Sequence, residues 1–567
     1  MDIGHIMPLY VRRTICIYMM FLLLMTLASC GAGNDTNETG YSPDGEASYD
    51  LDNSTAYTES DNNYNGEHEY SDDAIAHVPG VPLLPAVPTP TGLAAPFAEA
   101  AAILPPPVAL PVRVRGTQIP DSQLITIDTT SRFQVIEGFG ASGAWWAQSI
   151  GGWDNIQDIM DLLYCRELGI GLNIFRYNIA AGFPSNARDP WRSQATVEVS
   201  PGVYDLTLDE NALHVFRLAV ERGANRNVAF AKSPPSRMTV SGLTSGHWLP
   251  FTPNLQEGYE AAFARYLVDI TLLLLDEGLP VRYISPINEP QWAWGGVYAS
   301  QEGAFFYPEQ VVTMTRALVH EIENRGLRYN LRASVAESGT WNDWDYTLNM
   351  YRELMADPVI ANHLTHFAVH SYWSSEMDKR RAALFFQGIP DMLPLKQTEW
   401  CEMEWGMDLG MDAALVLARD MHDNLTILDV VSWSHWLAVS RYDYRDGLIY
   451  VDIGTQEFTC SKRMWAMGNF SRFVRDGFVR VDTGLGRSLR NLLVSAYQSP
   501  DASELVLVVI NPEDEPRTIG VDVFGYGYTY VHITDETRDI RAVYERLDDV
   551  WEYVIPPRSV VTFVNRR

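Results

Sequence analysis

The chain has 567 residues, 46% hydrophobic and 11% aromatic, with a formal net charge of −30. That length exceeds one small domain and suits a large barrel with a companion. The acidic balance argues against a nucleic-acid partner, which would need a Lys/Arg surface facing the phosphates, and makes a strongly acidic polysaccharide a poor match.

Residues 1–30 read as a targeting segment. Arg12 and Arg13 precede an apolar run from Thr14 to Ser29 that is short for a membrane span. The run closes on Leu27-Ala28-Ser29-Cys30, which resembles a bacterial lipoprotein cleavage box. That resemblance implies that Cys30 is lipidated after cleavage and anchors a cell-surface protein to a membrane. An ordinary secretory signal and an uncleaved anchor stay open as alternatives. All three place the remainder outside the cytoplasm. Residues 31–115 read as a disordered linker, acidic and then Pro/Ala-rich. No Lys or Arg occurs between Arg13 and Arg113, and few aliphatic residues occur before Val78. Such a stretch cannot bury enough apolar surface to offset its ordering entropy.

From Gln118 onward strand and helix signals alternate, which predicts a parallel α/β architecture. Strands are expected over 135–141, 172–179, 227–233, 281–288, 330–337, 366–373, 395–399 and 430–436. Amphipathic helices are expected between them, among them 156–168, 208–222, 259–276, 308–323, 346–355 and 411–422. Eight such units make a (β/α)8 TIM barrel over 116–476, with its active site at the C-terminal ends of the strands. Shorter alternating segments from Phe478 onward predict a side β-sandwich over 477–567, which the segment Leu124–Asp128 is placed to join.

Two stretches stand out. Tyr283-Ile284-Ser285-Pro286-Ile287-Asn288-Glu289-Pro290-Gln291-Trp292 begins as an apolar strand and stops in an Asn-Glu-Pro corner. Pro290 has no N–H for a sheet ladder, so the strand must end near Glu289. Pro394-Leu395-Lys396-Gln397-Thr398-Glu399-Trp400 likewise ends in a carboxylate beside an indole. Each alone is as well read as a surface turn. Together, at the ends of strands 4 and 7, they supply the carboxyl pair that double-displacement glycoside hydrolysis requires, about 5–5.5 Å apart. The acid needs a raised pKa from burial or a neighbouring negative charge, which Trp292 and Glu399 can supply. The nucleophile needs hydrogen-bond donors, for which Tyr372 and His370 are candidates.

These motifs resemble glycoside hydrolase family 30, together with Ile136-Glu137-Gly138-Phe139-Gly140-Ala141-Ser142-Gly143-Ala144-Trp145, Phe175-Arg176-Tyr177-Asn178, Ser233-Pro234-Pro235, His370-Ser371-Tyr372, Trp433-Ser434-His435-Trp436 and Gly468-Asn469-Phe470-Ser471-Arg472-Phe473. The resemblance spans Gln118 to the C-terminus. It implies a retaining enzyme with a barrel and side sandwich. Glu289 matches the acid/base and Glu399 the nucleophile. Asn288 matches the amide that holds the neighbouring sugar hydroxyl, and Arg176 and Tyr372 match residues that position the nucleophile. Trp433 matches a floor for the sugar. Asn288-Glu289-Pro290-Gln291-Trp292 with Gln301-Glu302-Gly303 is most similar to the endo-β-1,6-galactanase branch, acting on arabinogalactan-type side chains. Alternatives are a β-1,6-glucanase, a xylanase, an exo-β-glycosidase, a non-catalytic surface glycan-binding protein, or an adhesion protein. Lys232 departs from the family, where Asn often precedes Ser-Pro-Pro.

The bland readings stand beside these. Arg176 suits a buried ion pair, His370 a strand cap and Trp433 the core equally well. Trp145, Trp146 and Trp294 are candidate sugar platforms or ordinary rim residues, and Trp292 is a candidate substrate-binding residue. Glu402 and Glu404 are rival nucleophiles, and Glu337 is a further carboxylate for sugar hydroxyls. Cys165, Cys401 and Cys460 are odd in number beyond the targeting segment, and Cys401 reads as a buried thiol. The His/Cys spacing matches no metal site, and the sequence has no phosphate loop. Neither a metal nor a cofactor is expected.

Overall fold

The computed structural model describes residues 119–523, 525–526, 528–543 and 550–567. The targeting segment and the linker expected over 1–115 lie outside them. Among the described residues, no helix is long and apolar enough to cross a membrane.

A ring of parallel strands forms the centre. Strands 1 to 4 are Gly138–Ser142, Ile174–Asn178, Asn227–Phe230 and Val281–Ser285. Strands 6 to 8 are Phe367–Val369, Leu395–Gln397 and Ser432–Ser440. The fifth is split: Arg332–Ala333 pairs with strand 4, and Ala336–Ser338 pairs with strand 6. Strand 8 pairs with strands 7 and 1, so the sheet closes into the expected (β/α)8 barrel. Strands 2 and 3 are buried along their whole length, as parallel strands covered on both faces must be.

The helices form where apolar residues recur every three or four positions. In Pro308–Asn324 the buried stripe is Val311, Met314, Thr315, Leu318, Val319 and Ile322, and Pro308 opens the first turn. Helix Glu376–Gln387 is not legible from periodicity, because its buried residues are only Lys379, Ala382 and Phe386. Its start is set by a capping box between Ser375 and Asp378.

Most barrel strands are shorter than expected, and in two cases the early end sets the site. Strand 4 stops at Ser285 rather than running to 288, because Pro286 offers no N–H to continue the ladder. Strand 7 stops at Gln397. Glu289 and Glu399 therefore sit on short irregular segments just past the barrel rim.

The second sheet has nine strands. Their order is Arg541–Val543, Tyr528–Thr534, Ser559–Arg566, Glu504–Asn511, Leu493–Gln498, Val479–Leu485, Leu124–Val135, Arg517–Asp522 and Val550–Ile555. It curls over its own core, which includes Ile125, Val481, Leu507, Ile519 and Ile533. Trp551 and Phe563, from separated strands, bring their rings to 4.5 Å. The strand before the barrel does join this sheet, and extends to Val135. The segment Gly468–Phe473 proves to be largely helical, within Lys462–Ser471. Its Asn469 hydrogen-bonds Thr562 Oγ1 at 2.9 Å and Thr534 Oγ1 at 2.6 Å, which fastens this helix to the second sheet.

Candidate active site

The barrel brings residues from five strands to one point. Arg176 lies within strand 2, Asn288 and Glu289 follow strand 4, and Glu337 lies in strand 5. His370 and Tyr372 follow strand 6, and Glu399 follows strand 7. All are buried, Glu289 the least at 7% exposed.

Glu289 and Glu337 both adopt left-handed backbone, with φ of 47° and 55°. For residues with a Cβ such a conformation costs about 1–3 kcal/mol and persists only where neighbours impose it. Here the Glu289 N–H donates to the Glu337 carbonyl at 3.0 Å. The Glu289 carbonyl in turn accepts from Trp294 Nε1 at 2.9 Å and from the Trp292 N–H at 3.2 Å. The corner is clamped from both sides.

A carboxylate oxygen of Glu289 and one of Glu399 lie within 4.8 Å of one another, with a His370 ring nitrogen inside the same limit. Arg176 Nη1 donates to Glu399 Oε2, and Tyr372 Oη donates to Glu399 Oε1 at 3.1 Å. Arg176 Nη2 reaches Asn288 Oδ1 at 3.2 Å and Glu337 Oε2 at 3.5 Å. His370 bridges two carboxylates, Nδ1 to Glu289 Oε1 and Nε2 to Glu337 Oε2, each at 3.1 Å.

The charges explain one another. Burial opposes the charge on Glu337, but Arg176, His370 and Thr398 outweigh it and hold the carboxyl at about 2. Burial likewise opposes charge on His370, but the Glu399 charge and the hydrogen bonds to Glu289 and Glu337 raise it to about 9. Glu289 is raised above the ordinary carboxyl range, first by desolvation and then by the Glu399 charge, with His370 pulling the other way. His370, one of the three groups gathered here, has both ring nitrogens taken by carboxylates, Nδ1 by Glu289 and Nε2 by Glu337.

The remaining sequence candidates fall into place around this cluster. Trp292 is half-buried, its ring edge-on to the exposed Trp373 at 5.5 Å. Its Nε1 packs over Gly339, where an added Cβ would come within 2.4 Å of that nitrogen and 3.0 Å of Glu289 Oε1. Trp145 is only 1% exposed, because Trp191 and Trp436 cover its faces and edges, so it is a wall rather than an open platform. Trp433 takes its core reading and not the sugar-floor one. It is fully buried and its Nε1 donates to Asp420 Oδ2 at 3.0 Å, on the helix Met411–Ile427 that packs outside the barrel. Glu402 is engaged by Arg445 Nη1 at 2.8 Å and Glu404 is exposed, so neither rival carboxylate joins the cluster. Cys401 is a buried thiol whose pKa burial pushes well up. Cys30 lies outside the described residues.

Glu337 is the residue whose part sequence reasoning misjudged. Expected to face sugar hydroxyls, it is fully buried and its oxygens are taken by Arg176, His370, Ser334 and Thr398. It is the hub that holds Arg176 and His370 in place. The available signal was its position at a strand end level with two other carboxylates.

Residues 122–450, more than half of the chain, match the profile described as O-Glycosyl hydrolase family 30. An endo-beta-1,6-galactanase of Hypocrea rufa is 25% identical over 385 residues, covering 62% of this chain and 75% of the relative. The glucuronoxylanase XynC of Bacillus subtilis (strain 168) is 23% identical over 401 residues, covering 70% of this chain and 80% of that one. Among solved structures, the catalytic domain of a GH30 xylanase C from Talaromyces cellulolyticus superposes with a TM-score of 0.64 at 22% identity, over 78% of this chain and all of that one. A conserved exported protein from Bacteroides fragilis reaches 0.71 at 25% identity, with the same coverage. With the barrel, its side sheet and the profile match in agreement, this chain belongs to glycoside hydrolase family 30.

Proposed function

We propose that the protein is a retaining endo-β-1,6-galactanase acting on arabinogalactan-type side chains. The observation that carries the retaining part is the approach of the Glu289 and Glu399 oxygens to within 4.8 Å, compatible with direct attack rather than attack through an intervening water. Glu399, oriented by Arg176 and Tyr372, attacks the anomeric carbon and forms a glycosyl ester. Glu289, its proton favoured by desolvation and by the charge of Glu399, protonates the departing oxygen. It then deprotonates the water that releases the sugar. Asn288, held by Arg176, is placed to bind the adjacent hydroxyl. The galactan preference is supported by the Hypocrea rufa relative, and the xylan alternative by the Bacillus subtilis one. We place the protein at the cell surface through a lipid on Cys30, a reading that metabolic labelling with a radioactive fatty acid tests: label should enter the wild-type chain and not Cys30→Ala.

The deciding experiment is product release by the full chain from de-arabinosylated arabinogalactan, β-1,6-glucan and glucuronoxylan. Oligosaccharides from the galactan alone, with rates falling by at least about 10²-fold in both Glu289→Gln and Glu399→Gln, support the proposal. Release from another glycan moves the specificity. Binding without hydrolysis leaves a glycan-binding protein. The sugar first released should be the β anomer by NMR, and the α anomer would refute retention.

A further inference from the structure

Lys232 lies two residues beyond strand 3 and is 2% exposed. Its Nζ has no hydrogen-bond partner among the described residues. A buried ammonium in that state is costly unless something else satisfies it. What surrounds it is aromatic: the ring centres of Trp145, Trp436 and Phe230 lie 4.0, 4.9 and 5.5 Å from Nζ. Cation–π attraction offsets part of the desolvation but leaves all three N–H donors free. Phe230 also ties the residue to the site, because the Arg176 guanidinium that binds Glu399 lies 3.9 Å from the centre of the same ring. A second buried polar group acts on it. Glu302 is fully buried, its carboxyl approached by the backbone N–H groups of Ala181, Gln194 and Gly182 but with no side-chain hydrogen-bond partner among the described residues. Burial pulls the Lys232 ammonium down to about 7 and pushes the Glu302 carboxyl up to about 7, while each favours the charged form of the other. Beside Lys232, Trp145 Nε1 is a further buried polar atom without a partner among the described residues.

Free donors and a buried carboxyl, set among indoles next to the nucleophile's arginine, define a place for a group that both accepts and donates. We propose that Lys232, backed by Glu302, is the specificity-determining contact for a hydroxyl of the sugar ring that Glu399 attacks. The hydroxyl oxygen accepts from Nζ, its hydrogen is available to the Glu302 side, and Trp145 and Trp436 wall the ring. A hydroxyl fits better than a uronic carboxylate, because it can accept from Nζ and also donate toward Glu302, whereas a carboxylate only accepts. This inference rests on the glycosidase reading of the site, and its test is arranged so that the two fail separately.

Aryl β-glycosides of galactose, glucose and xylose, the 4-deoxy and 6-deoxy forms of the first two, and the matching uronides are offered to the full-length wild type, Lys232→Met and Lys232→Gln. Wild-type product release from the three polysaccharides decides the glycosidase reading. The ratios between variants decide this one. For one hydroxyl position, its removal should lower wild-type kcat/KM about 10- to 100-fold, the worth of a hydrogen bond to a charged group. The same removal should cost Lys232→Met almost nothing, and Lys232→Gln should recover part of the discrimination. Equal losses on parent and deoxy sugars would make the lysine structural and overturn the proposal. A loss confined to the uronides would overturn it in favour of ionic recognition. If nothing is turned over, Trp fluorescence titration with the methyl glycosides reads the same ratios as Kd, and parallel affinities for parent and deoxy sugars would again overturn it.

Discussion

The residue scale is governed by three carboxylates that the barrel gathers around two cations. Glu337 touches neither predicted catalytic role yet contacts both Arg176 and His370. Replacing it by Gln leaves those cations partly uncompensated, and breaking a buried pair costs about 3–5 kcal/mol. Glu337→Gln should therefore melt at clearly lower temperature, and the His370 pKa followed by NMR should fall from its raised position. The same cluster sets a pH window. His370 is raised from 6.5 to about 9, so its contribution to stability is complete below about 6.5 and is lost as pH rises through about 9. Glu337 is lowered from 4.5 to about 2, so its contribution is complete above about 4.5 and is lost as pH falls through about 2. Melting temperature measured across pH should be highest between about 4.5 and 6.5 from these two groups. His370→Asn should flatten the alkaline limb. If Glu289 is the acid, kcat should also fall as pH rises through its raised pKa.

At the scale of elements, the segments after the strands decide the geometry. Two left-handed residues, Glu289 and Glu337, face each other through a backbone hydrogen bond, and Gly339 leaves room for the indole of Trp292 beside Glu289. A methyl group at 339 has no free volume, since its nearest neighbours would be Trp292 Nε1 at 2.4 Å and Glu289 Oε1 at 3.0 Å. The Gly339→Ala variant should remain folded, because the clash is with movable side chains at the barrel mouth. Its kcat should drop on the order of 10²-fold, the cost of a displacement of roughly 1 Å at a reacting group. An unchanged kcat with a lowered melting temperature would place the role of Gly339 in packing instead.

At the scale of the molecule, the side sheet is built from both ends of the described chain. Leu124–Val135 pairs with Val479–Leu485 on one side and with Arg517–Asp522 on the other, and it runs directly toward barrel strand 1. A chain beginning after Val135 removes an interior strand, exposing two sheet edges and the core around Ile125. Such a chain should be insoluble on expression, whereas one beginning at Arg115 should give a single cooperative melt. Asn469 makes the tie from the barrel side. Its Oδ1 and Nδ2 bond Thr534 and Thr562, all fully buried. Asn469→Ala removes both side-chain ties while Thr562 Oγ1 keeps its 2.6 Å bond to the residue 469 carbonyl and Thr534 Oγ1 its bond from the Ile540 N–H. The loss should therefore be about 1–3 kcal/mol in all, and the melting temperature should fall with activity per folded molecule retained.

Much of this was legible along the chain because it is local. Proline stops a ladder, so the corner at Glu289 was visible, although Pro286 ended the strand sooner than apolar character suggested. Alternating strand and helix periods implied the barrel, and the strand count placed Glu289 and Glu399 at strand ends facing each other across one barrel mouth. Other features depend on which face a side chain takes and what stands across from it. Trp433 and Trp436 are three residues apart on one strand, yet one packs outward against Asp420 and the other stands beside Lys232. Glu337 became a hub only because strand closure set His370 and Arg176 on either side of it. The lone Lys232 was visible as an odd residue, but its want of a partner is a property of its tertiary surroundings. Sequence by itself determined the order of elements and the residues able to do chemistry. Closure of the barrel decided their charges and contacts, since burial and Coulomb interaction depend on distances through space that sequence separation does not encode.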